Sequence, residues 1–598
     1  MVTANIIKRL ISGLGLLAAA SSMSCAQTPP GAGADSIRLN QMGFYPHASK
    51  VAIVLTNKAQ QFTIETADHK KVFTGQLRPS AKPDLSGKAV YVANFTALQQ
   101  PGKYVLQVPG IGYSYTFEVR NCIHQPVATA SIKAFYYQRA SIALPEKYAG
   151  QWHRPAGHPD NQVLVHPSAA SATRPAGTFI SSSRGWYDAG DYNKYIVNSG
   201  ISMATLLSVC EDFPDYISTV KLNIPESSNK VPDMLDEILW NLRWMLTMQD
   251  PADGGVYHKL TNARFDGMVM PDDAKEPRYV VQKSTAATLD FTAVMAQASR
   301  VMKRYKRELP GLGDSCRKAA LKAWQWAQAN PKVIYDQTAM NAAFKPEVVT
   351  GTYGDQQVAD EFDWAAAEMY ITMQDDRYLN KVPLGDKIKL SIPNWGQVRM
   401  LGYYSLLRNR NRLTLAGKAA MSTLTKQMLA FADSLTNPAT LPAYQTVMGR
   451  SARNYGWGSS SEAANQGVAL VQAYLFTNKP QYLNAALSNL DYLLGRNGTG
   501  YCFITGLGSK PVMHPHHRPS VADGIVPPVP GLLSGGPNPG RQDGIALPSL
   551  VPNQAFVDDD RAYAVNEIAI NWNAPLVYLA NAMEALQYRS KYAVPKKR

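Results

Sequence analysis

Two aspartates in the segment GWYDAGDYNKY, residues 185–195, are the first side chains whose spacing suggests chemistry. Asp188 and Asp191 lie three residues apart around Ala-Gly, so a tight turn can direct both carboxylates at one point. Two neighbouring carboxylates can orient a water molecule while one of them accepts its proton. A helix N-cap or a cation site would use the same residue types, and both alternatives stay open for this segment alone.

A third acid, Glu567, lies near the end of the chain in FVDDDRAYAVNEIAINWNA, residues 556–574. It stands apart from the acidic run at 558–560 and beside apolar residues, and the spacing that follows predicts a helix with Asn573 as N-cap. A carboxyl group in apolar surroundings has a raised pKa and holds a proton near neutral pH, as a general acid must. The alternative is that the Glu567 carboxylate accepts a hydrogen bond from a backbone amide at a nearby helix end or in a loop.

A proline-rich segment, TGLGSKPVMHPHHRPS, gathers donors that suit sugar hydroxyls or a carboxylate, namely His514, His516, His517 and Arg518. Zinc is the competing interpretation of clustered histidines, but neither an HExxH pattern nor a cysteine partner accompanies them. The glycine-rich run that follows lacks the GK[ST] of a phosphate-binding loop and is more typical of a long loop that walls a cleft.

Together these residues suit hydrolysis of a glycosidic bond. In an inverting mechanism one carboxylic acid protonates the leaving oxygen while a carboxylate on the opposite side deprotonates water, with the two carboxyls roughly 6.5–9.5 Å apart. Ten tryptophans and thirty-one tyrosines supply aromatic surface for flat sugar faces, although most are expected in the core.

Two kinds of structural element must position these groups. Residues 36–120 contain about seven short β-branched and aromatic segments separated by turn residues, which is typical of a β-sandwich. From about residue 124 to 591 the apolar period becomes helical, which predicts about twelve helices in a closed, paired array joined by long functional loops. Besides one helix expected after Asp191, the candidate helices are 127–140, 231–249, 283–305, 314–329, 359–373, 391–407, 418–435, 462–475, 481–494 and 573–588.

Composition narrows the class of protein. The chain has 598 residues, of which 45% are hydrophobic and 18% charged, so it is globular and long enough for more than one domain. The net charge is +15, but the basic residues are scattered without the patch that phosphate contact needs, so we expect no nucleic-acid partner. Five widely spaced cysteines with no CxxC pair indicate no disulfide framework.

The N-terminus is typical of an export signal. Lys8 and Arg9 precede an apolar run at 10–20 that is too short to span a membrane, and small residues follow it. Cleavage after Ala26 would release a free protein with a signal peptide of residues 1–26, whereas SMSC resembles a lipobox that would anchor the protein to a membrane through Cys25. We therefore predict an exported protein in the periplasm, outside the cell or on the outer membrane.

The three acidic and histidine-rich segments, taken together, resemble glycoside hydrolase family 9, the inverting cellulase family with an (α/α)6 barrel. Residues 556–574 fit its acid-bearing signature, SKPVMHPHHR fits its histidine signature, and DAGD fits the site of its catalytic base. IRLNQMGFYP and PGKYVLQV are similar to the Ig-like module that precedes the catalytic domain in one branch. The resemblance implies a mainly α protein, with an (α/α)6 barrel at 124–591 preceded by a small Ig-like β-sandwich domain at 36–120.

The resemblance also implies roles for individual residues. Glu567 corresponds to the general acid and Asp191 to the general base, while Asp188 helps to hold the attacking water. His516 and Asp558 correspond to active-site residues.

Three further residues are expected to bind substrate. Arg518 corresponds to a substrate-binding residue of the family. We expect Trp186, beside the aspartates, and Trp457, in YGWGSSSE, to stack on glucosyl rings, with core packing as the alternative for either.

The metal expectations differ for calcium and zinc. GTYGDQQVADEFDWAAAE is similar to a calcium-binding loop of the family, with Asp355, Asp360 and Glu361 as oxygen ligands, although an acidic helix N-terminus is the alternative. Relatives with the Ig-like module often carry a Cys/His zinc site. Here Ala140 and Gly157 stand where those cysteines would be expected, although His158 remains, so zinc is doubtful.

We therefore predict an endo-acting β-1,4-glucanase, a monomer that needs no cofactor for its chemistry and acts on cellulose-like β-glucans. The alternatives are a xyloglucan-specific endoglucanase or an exo-acting glucosidase or glucosaminidase of the same family. A non-catalytic surface glycan-binding protein is disfavoured because both the acid and the base are present.

Overall fold

The computed structural model describes residues 33–56, 58, 60–385 and 388–595. The predicted export signal, including Cys25, lies outside the described residues. Strands occupy the first part of the described chain up to Val119, and a largely helical part begins at Gln125.

The N-terminal part is a β-sandwich with its own apolar core. Its strand order is β1-β3-β6-β5-β4-β7-β9-β2, with β8 paired to β7, and only the β2–β9 pair is parallel. The long strand β5 pairs with β4 and then with β6, so it links the two layers. The strands are β1 (Ile37–Arg38), β2 (Gly43–Phe44), β3 (Val51–Val54), β4 (Gln61–Thr66), β5 (Lys71–Pro79), β6 (Tyr91–Asn94), β7 (Gly102–Val108), β8 (Gly112–Tyr113) and β9 (Phe117–Val119).

The C-terminal part is built from helices whose inner members are buried on all sides. Its helices are α1 (Gln125–Tyr137), α2 (Glu146–Ala149), α3 (Ile196–Asp212), α4 (Pro214–Ile217), α5 (Asp233–Thr247), α6 (Thr285–Met302), α7 (Leu312–Ala329), α8 (Gln337–Ala343), α9 (Ala359–Met373), α10 (Asp376–Leu379), α11 (Arg399–Arg408), α12 (Leu415–Thr436), α13 (Ser459–Thr477), α14 (Pro480–Leu493), α15 (Arg518–Ala522), α16 (Tyr563–Asn566) and α17 (Ile570–Leu586). Contacts run from α3 to α6, α9, α11, α12, α13 and α17 and back to α3, which closes a ring. This is the predicted (α/α)6 barrel.

A second, five-stranded sheet supports the predicted base turn. Its strands are β10 (Val163–Val165), β11 (Phe179–Ile180), β12 (Lys194–Tyr195), β13 (Lys259–Asn262) and β14 (Arg278–Val280), in the order β11-β10-β14-β13-β12. Because β12 follows the 188–191 turn at once, its pairing with β13 anchors that turn to the body of the domain.

Polar side chains of the sandwich dock it onto the barrel. The Asn40 amide donates to Asp491 Oδ1 at 2.7 Å, the Gln41 amide donates to the Gly500 carbonyl at 2.8 Å, and the Tyr45 hydroxyl donates to Glu584 at 2.6 Å. All three side chains are at least nine-tenths buried, so the contact is a packed interface between the domains.

Two helix predictions are wrong at their starts. The segment predicted at 391–407 becomes helical only at Arg399, because Pro393 and Gly396 favour the turn that presents Trp395. Asn573 is not an N-cap, since α17 already begins at Ile570. The Ile570 amide donates to the Asp188 carbonyl at 2.8 Å, so the first turn of α17 is capped by a distant segment.

Cys122, Cys210, Cys316 and Cys502, the cysteines within the described ranges, are unpaired. In the same part of the chain, no helix has the length and apolar character needed to cross a bilayer.

Candidate active site

Backbone hydrogen bonds tie the three predicted segments into one site. The Ile570 amide donates to the Asp188 carbonyl, the His516 amide donates to the Asn566 carbonyl at 2.9 Å, and the Arg518 amide donates to the Gly190 carbonyl at 3.1 Å. Segments that lie more than 300 residues apart in the sequence are therefore held together at one site.

Gly190 allows this close approach. A Cβ atom at position 190 would lie 2.1 Å from the His516 carbonyl oxygen, closer than any real contact. Only glycine lets the turn that carries the two aspartates pack against the histidine segment.

Glu567 lies between these segments, lines the cleft and is partly exposed. Burial raises the pKa of its carboxyl well above the usual value, and the charges of Asp191 and Asp188 raise it further. Arg518 and the backbone amide of Gly190 act in the opposite direction. A carboxyl whose pKa is raised in this way is suited to hold a proton and donate it as a general acid.

Asp188 is fully enclosed and both of its oxygens accept hydrogen bonds. Asn198 donates to Oδ1 at 2.6 Å and the Tyr353 hydroxyl donates to Oδ2 at 2.7 Å. Burial, with the nearby charge of Asp191, raises the pKa of Asp188 to about 8, against the effect of these two bonds. The side chain is therefore held in one orientation beside Asp191.

Asp191 has partners that leave part of its carboxylate towards the cleft. The Asn193 amide donates to Oδ2, and the Tyr195 hydroxyl lies 3.5 Å from the same oxygen. Asn193 is in turn fixed by the Thr261 hydroxyl and the Asn262 amide, both at 2.9 Å. The base turn is thus held by strand β13.

His516 faces the cleft, whereas His517 points into the protein and makes structural hydrogen bonds. His516 donates through Nδ1 to the Asp560 carbonyl at 2.6 Å, which leaves Nε2 for substrate. Burial lowers the pKa of His516, which favours the neutral ring, and in that form Nε2 is an acceptor. His517 contacts Gln138 and Ser520 inside the protein, and burial lowers its pKa to about 3.

Arg518 lines the cleft but also holds a neighbouring loop. Its guanidinium donates to the backbone carbonyls of Asp266, Gly267 and Gly190 at 2.8–3.2 Å. Its charge lies 5.8 Å from the ring centre of Phe265, which is half exposed at the cleft. Arg518 therefore holds the loop that carries Phe265, in addition to any contact that it makes with substrate.

These residues open into a cleft of about 1090 Å³. This exceeds the roughly 300–1,000 Å³ of small-molecule pockets. Trp457, 48% exposed and 5.5 Å from the Tyr563 ring, lies in its wall, so the structure leaves it free to stack on a sugar. Trp395 and Trp572 add further aromatic surface to the lining.

Two predicted site residues have other tasks. The prediction that Trp186 binds substrate is wrong: the ring is fully buried against Phe135, and its indole N–H donates to Glu237 at 2.8 Å. Asp558 does not line the cleft either. Its carboxylate accepts the backbone amides of residues 513 and 514 and the Asn566 amide, so it positions the histidine segment.

The predicted calcium ligands surround the start of α9. Asp360 accepts the Val398 amide at 2.6 Å, while Glu361 is buried with both oxygens lacking a hydrogen-bond partner among the described residues, as are those of Asp290 on α6. One oxygen of Asp355 is also unpartnered there. Across the described ranges, however, no three His, Cys, Asp or Glu side chains form a ready-made metal site.

The positions considered for zinc are packed as ordinary structure. His158 contacts the Tyr187 hydroxyl at 2.9 Å, and the Ala140 amide donates to a backbone carbonyl. A side chain at Gly157 would collide with Pro271.

Sequence reasoning missed several residues that hold the acids. Tyr353 stands in the segment assigned to calcium, and Asn193 and Tyr195 stand in the segment of the two aspartates, so their presence in motif-bearing loops was an available signal. Asn198 lies in a helix, and nothing in the sequence distinguishes it from other helical polar residues.

Comparison with known proteins agrees with this geometry. Residues 124–580 match the model of glycosyl hydrolase family 9, and residues 32–113 match the cellulase N-terminal ig-like domain. A xyloglucan-specific endo-β-1,4-glucanase of Bacteroides ovatus is 47% identical over 97% of this chain and 99% of its own length. Endoglucanase D of Acetivibrio thermocellus is 33% identical over 91% of this chain and 82% of its own length.

Solved structures give the same result. A family 9 protein of Bacteroides ovatus superimposes with a TM-score of 0.87 at 47% identity, over 92% of this chain and 99% of that one. A thermostable endoglucanase from Alicyclobacillus acidocaldarius, solved as a single mutant, gives 0.82 at 30% identity, over 92% and 99% of the two chains. The chain therefore belongs to glycosyl hydrolase family 9 and is an endo-β-1,4-glucanase with an N-terminal Ig-like domain and an (α/α)6 barrel.

Proposed function

We propose that this glucanase cleaves the backbone of xyloglucan with inversion, using Glu567 as general acid and Asp191 as general base. Glu567 donates its proton to the leaving glycosidic oxygen. Asp191 removes a proton from the attacking water, which Asp188 helps to orient. His516 accepts from a sugar hydroxyl through Nε2, and Trp457 stacks on a glucosyl ring.

The observation that carries the substrate proposal is the 47% identity, over nearly the whole of both chains, to a relative named as xyloglucan-specific. The cleft supports it, because about 1090 Å³ leaves room for a branched chain beside the acids. Linear cellulose-like glucan is the second candidate, since an endoglucanase D is also related along most of its length.

A polysaccharide panel with product sizing tests the substrate. We expect kcat/KM on xyloglucan to exceed that on carboxymethyl cellulose and mixed-linkage glucan at least about tenfold, the discrimination that pocket contacts supply. Viscosity should fall before reducing ends accumulate, which marks endo action. Equal rates on linear glucan would make that polymer the substrate, and release of small products without viscosity loss would indicate an exo-acting enzyme.

Two measurements test the chemical roles. Replacing the base, Asp191→Asn, should lower kcat about 10²–10⁴-fold, because the amide cannot accept the proton of the attacking water. NMR of the first product should show the α-anomer from the β-linkage. A β-anomer would exclude inversion, and an active Asp191→Asn protein would remove the base assignment.

We also propose a structural Ca²⁺ ion at the start of α9, bound by Asp355, Asp360 and Glu361. The unpartnered carboxylate oxygens there support it, because Ca²⁺ takes six to eight oxygen ligands and completes its shell with backbone carbonyls and water. Addition of Ca²⁺ to chelator-treated protein should raise Tm, and Glu361→Gln should remove that rise. A Tm that does not change with Ca²⁺ would refute the site.

For its location, we propose export as a monomer tethered to a membrane through a lipidated Cys25. Metabolic labelling with a fatty acid should mark the wild-type protein in the membrane fraction and leave Cys25→Ser unlabelled. Unlabelled wild-type protein outside the cytoplasm would favour the freely secreted form. Light scattering at several concentrations tests the monomer.

A further inference from the structure

Asn571 is a nearly buried amide in the first turn of α17, and the proposed mechanism gives it no role. Its side chain is only 5% exposed, and the Oδ1 atom is enclosed without a hydrogen-bond partner among the described residues. The Nδ2 atom makes no hydrogen bond to those residues either. A buried polar group without a partner costs free energy, because it has given up its hydrogen bonds to water. The amide of Asn571 therefore does not serve the stability of the fold.

Helix capping does not account for this amide. An asparagine at a helix start usually accepts a hydrogen bond from a backbone N–H group of the first turn. In α17 the N-cap is Ala569, which has no side-chain acceptor, and the Ile570 amide already donates to the Asp188 carbonyl. Asn571 accepts from none of the first-turn amides, because its Oδ1 atom is unpartnered.

Asn573, two residues further along the helix, shows how a structural asparagine is bound here. Its Oδ1 accepts from the Leu533 amide at 2.9 Å, and its Nδ2 donates to the Ser131 carbonyl at 2.7 Å. Both ends of that amide join α17 to other segments. Asn571 is buried to nearly the same extent but has no such bonds within the described ranges, so the two side chains have different tasks.

The direction of the chain puts Asn571 on the same side as the general acid. The backbone is extended at Glu567 (φ −65°, ψ 157°) and at Ala569 (φ −152°, ψ 151°), so successive side chains alternate between two faces. Ile568 and Ile570 point into the core and are each 2% exposed. Glu567, Ala569 and Asn571 line the cleft. A hydrogen-bond partner can therefore reach this amide from the cleft, close to the acid.

An aromatic ring accompanies this amide. Trp572, the next residue, also lines the cleft, and a Cβ atom at Gly458 would lie 2.7 Å from its indole nitrogen. Gly458 therefore lets the start of α13 pack closely against the ring. Sugars combine apolar C–H faces with hydroxyl groups, so a ring next to a free amide suits a sugar better than a purely apolar or a charged ligand.

We propose that Asn571 is a substrate-binding residue whose amide hydrogen-bonds a hydroxyl group of a main-chain glucosyl unit beside the cleaved bond. A half-turn about the Cβ–Cγ bond exchanges Oδ1 and Nδ2, so the amide can donate to that hydroxyl group or accept from it. The glucan thus supplies the partner that the described part of the chain does not. This inference rests on the proposed function, because Glu567 sets the position of the cleaved bond.

The test measures binding to an inactive protein, so that cleavage does not interfere. Asn571→Leu is added to Glu567→Gln, and Kd is determined by calorimetry for a xyloglucan oligosaccharide and for a linear cello-oligosaccharide. Leucine keeps the size of the side chain and removes its polar atoms. Kd should rise about three- to tenfold for both sugars, the effect of losing one hydrogen bond. In the otherwise wild-type enzyme KM should rise by a similar factor, with kcat changed less.

Stability supplies a second readout. Because Asn571 makes no hydrogen bond within the described ranges and leucine favours a helix, Asn571→Leu should leave Tm unchanged or raise it. Asn581→Leu is the matched control on the same helix. Asn581 is fully buried, and its Nδ2 donates to the Ala128 and Val577 carbonyls at 3.4 and 2.8 Å. Its replacement should lower Tm and leave Kd unchanged.

The outcomes separate the role of Asn571 from the proposed function. If either leucine variant does not fold, the alanine variants at the same two positions repeat the comparison without added bulk. A folded Asn571 variant with unchanged Kd for both sugars overturns the role of Asn571. A rise in Kd that comes with a fall in Tm as large as the control's would show a structural role and overturn it as well.

Two further results bear on the sugar. A rise in Kd for the xyloglucan oligosaccharide alone would overturn the assignment of the contact to the main chain. If the Glu567→Gln protein binds neither sugar before Asn571 is changed, the proposed function fails, and this inference fails with it.

Discussion

The barrel contains two groups of acids that differ in what surrounds them. Asp188, Asp191 and Glu567 lie at the cleft, and Asp188 and Asp191 accept hydrogen bonds from amide or hydroxyl groups. Asp290 and Glu361, on the paired helices α6 and α9, are fully buried and have no hydrogen-bond partner among the described residues.

Burial raises the pKa of Glu567, and it raises that of Glu361 as well, where the neighbouring carboxylate of Asp290 adds to it. A raised pKa alone therefore does not identify a catalytic acid. What distinguishes Glu567 is its position in a cleft large enough for substrate, which it lines together with Asp191, a carboxylate whose partners hold it in place. The predictions below test this difference.

The largest effect is expected from Glu567→Gln. The amide cannot donate the proton that the leaving oxygen needs, so kcat on unactivated glucan should fall about 10²–10⁴-fold while binding is retained. Glu361→Gln is the control, a fully buried glutamate outside the cleft whose pKa burial also raises, and should keep most of the activity. Equal losses in the two variants would show that the comparison is wrong.

Tyr353→Phe tests whether the hydrogen-bond partners of the acids at the cleft matter for catalysis. It removes the hydroxyl that donates to Asp188 at 2.7 Å, and leaving a buried polar group without a hydrogen-bond partner costs about 1–3 kcal/mol. We expect kcat to fall about tenfold or more with little change in KM. Tyr404→Phe, which removes a buried hydroxyl that has no partner in the described part of the chain, should have no such effect on kcat.

The second group, Asp290 and Glu361, should affect the stability of the protein rather than its catalytic rate. In metal-free protein the raised pKa of Glu361 means that the folded state keeps a proton that the unfolded state loses above about pH 4.5. Stability is then complete below that pH and falls as pH rises, by at most about 1.4 kcal/mol per unit for this group. Chemical denaturation at several pH values should show a smaller slope for Glu361→Gln, and an unchanged slope would contradict the assignment.

The smallest effect is expected at the cleft wall. Trp457→Ala should raise KM for xyloglucan several-fold, since an aromatic stacking contact contributes about 0.5–1.5 kcal/mol. Trp186→Phe, by contrast, should lower Tm, because it removes a buried hydrogen bond to Glu237. A KM effect from Trp186 alone would contradict its place in the core.

Much of the fold could be predicted from local patterns in the sequence. Helix α9 has the predicted bounds, because its apolar period and its acidic first turn are properties of neighbouring residues. The start of α17 could not be predicted from the sequence, because the group that caps it is the carbonyl of Asp188, nearly four hundred residues earlier. Trp186 shows the same limit: proximity in sequence to two aspartates does not tell whether a ring faces the cleft or the core.

By itself the sequence determined the family, the two-domain architecture and the segments that carry the acids and the histidines, because motifs and periodicity are local. Only the tertiary structure decided which groups surround each site residue: Tyr353 and Asn198 around Asp188, and the backbone of Gly190 against His516. The physical reason is that burial and hydrogen-bond partners set protonation and orientation, and both arise from segments that meet only when the chain is folded.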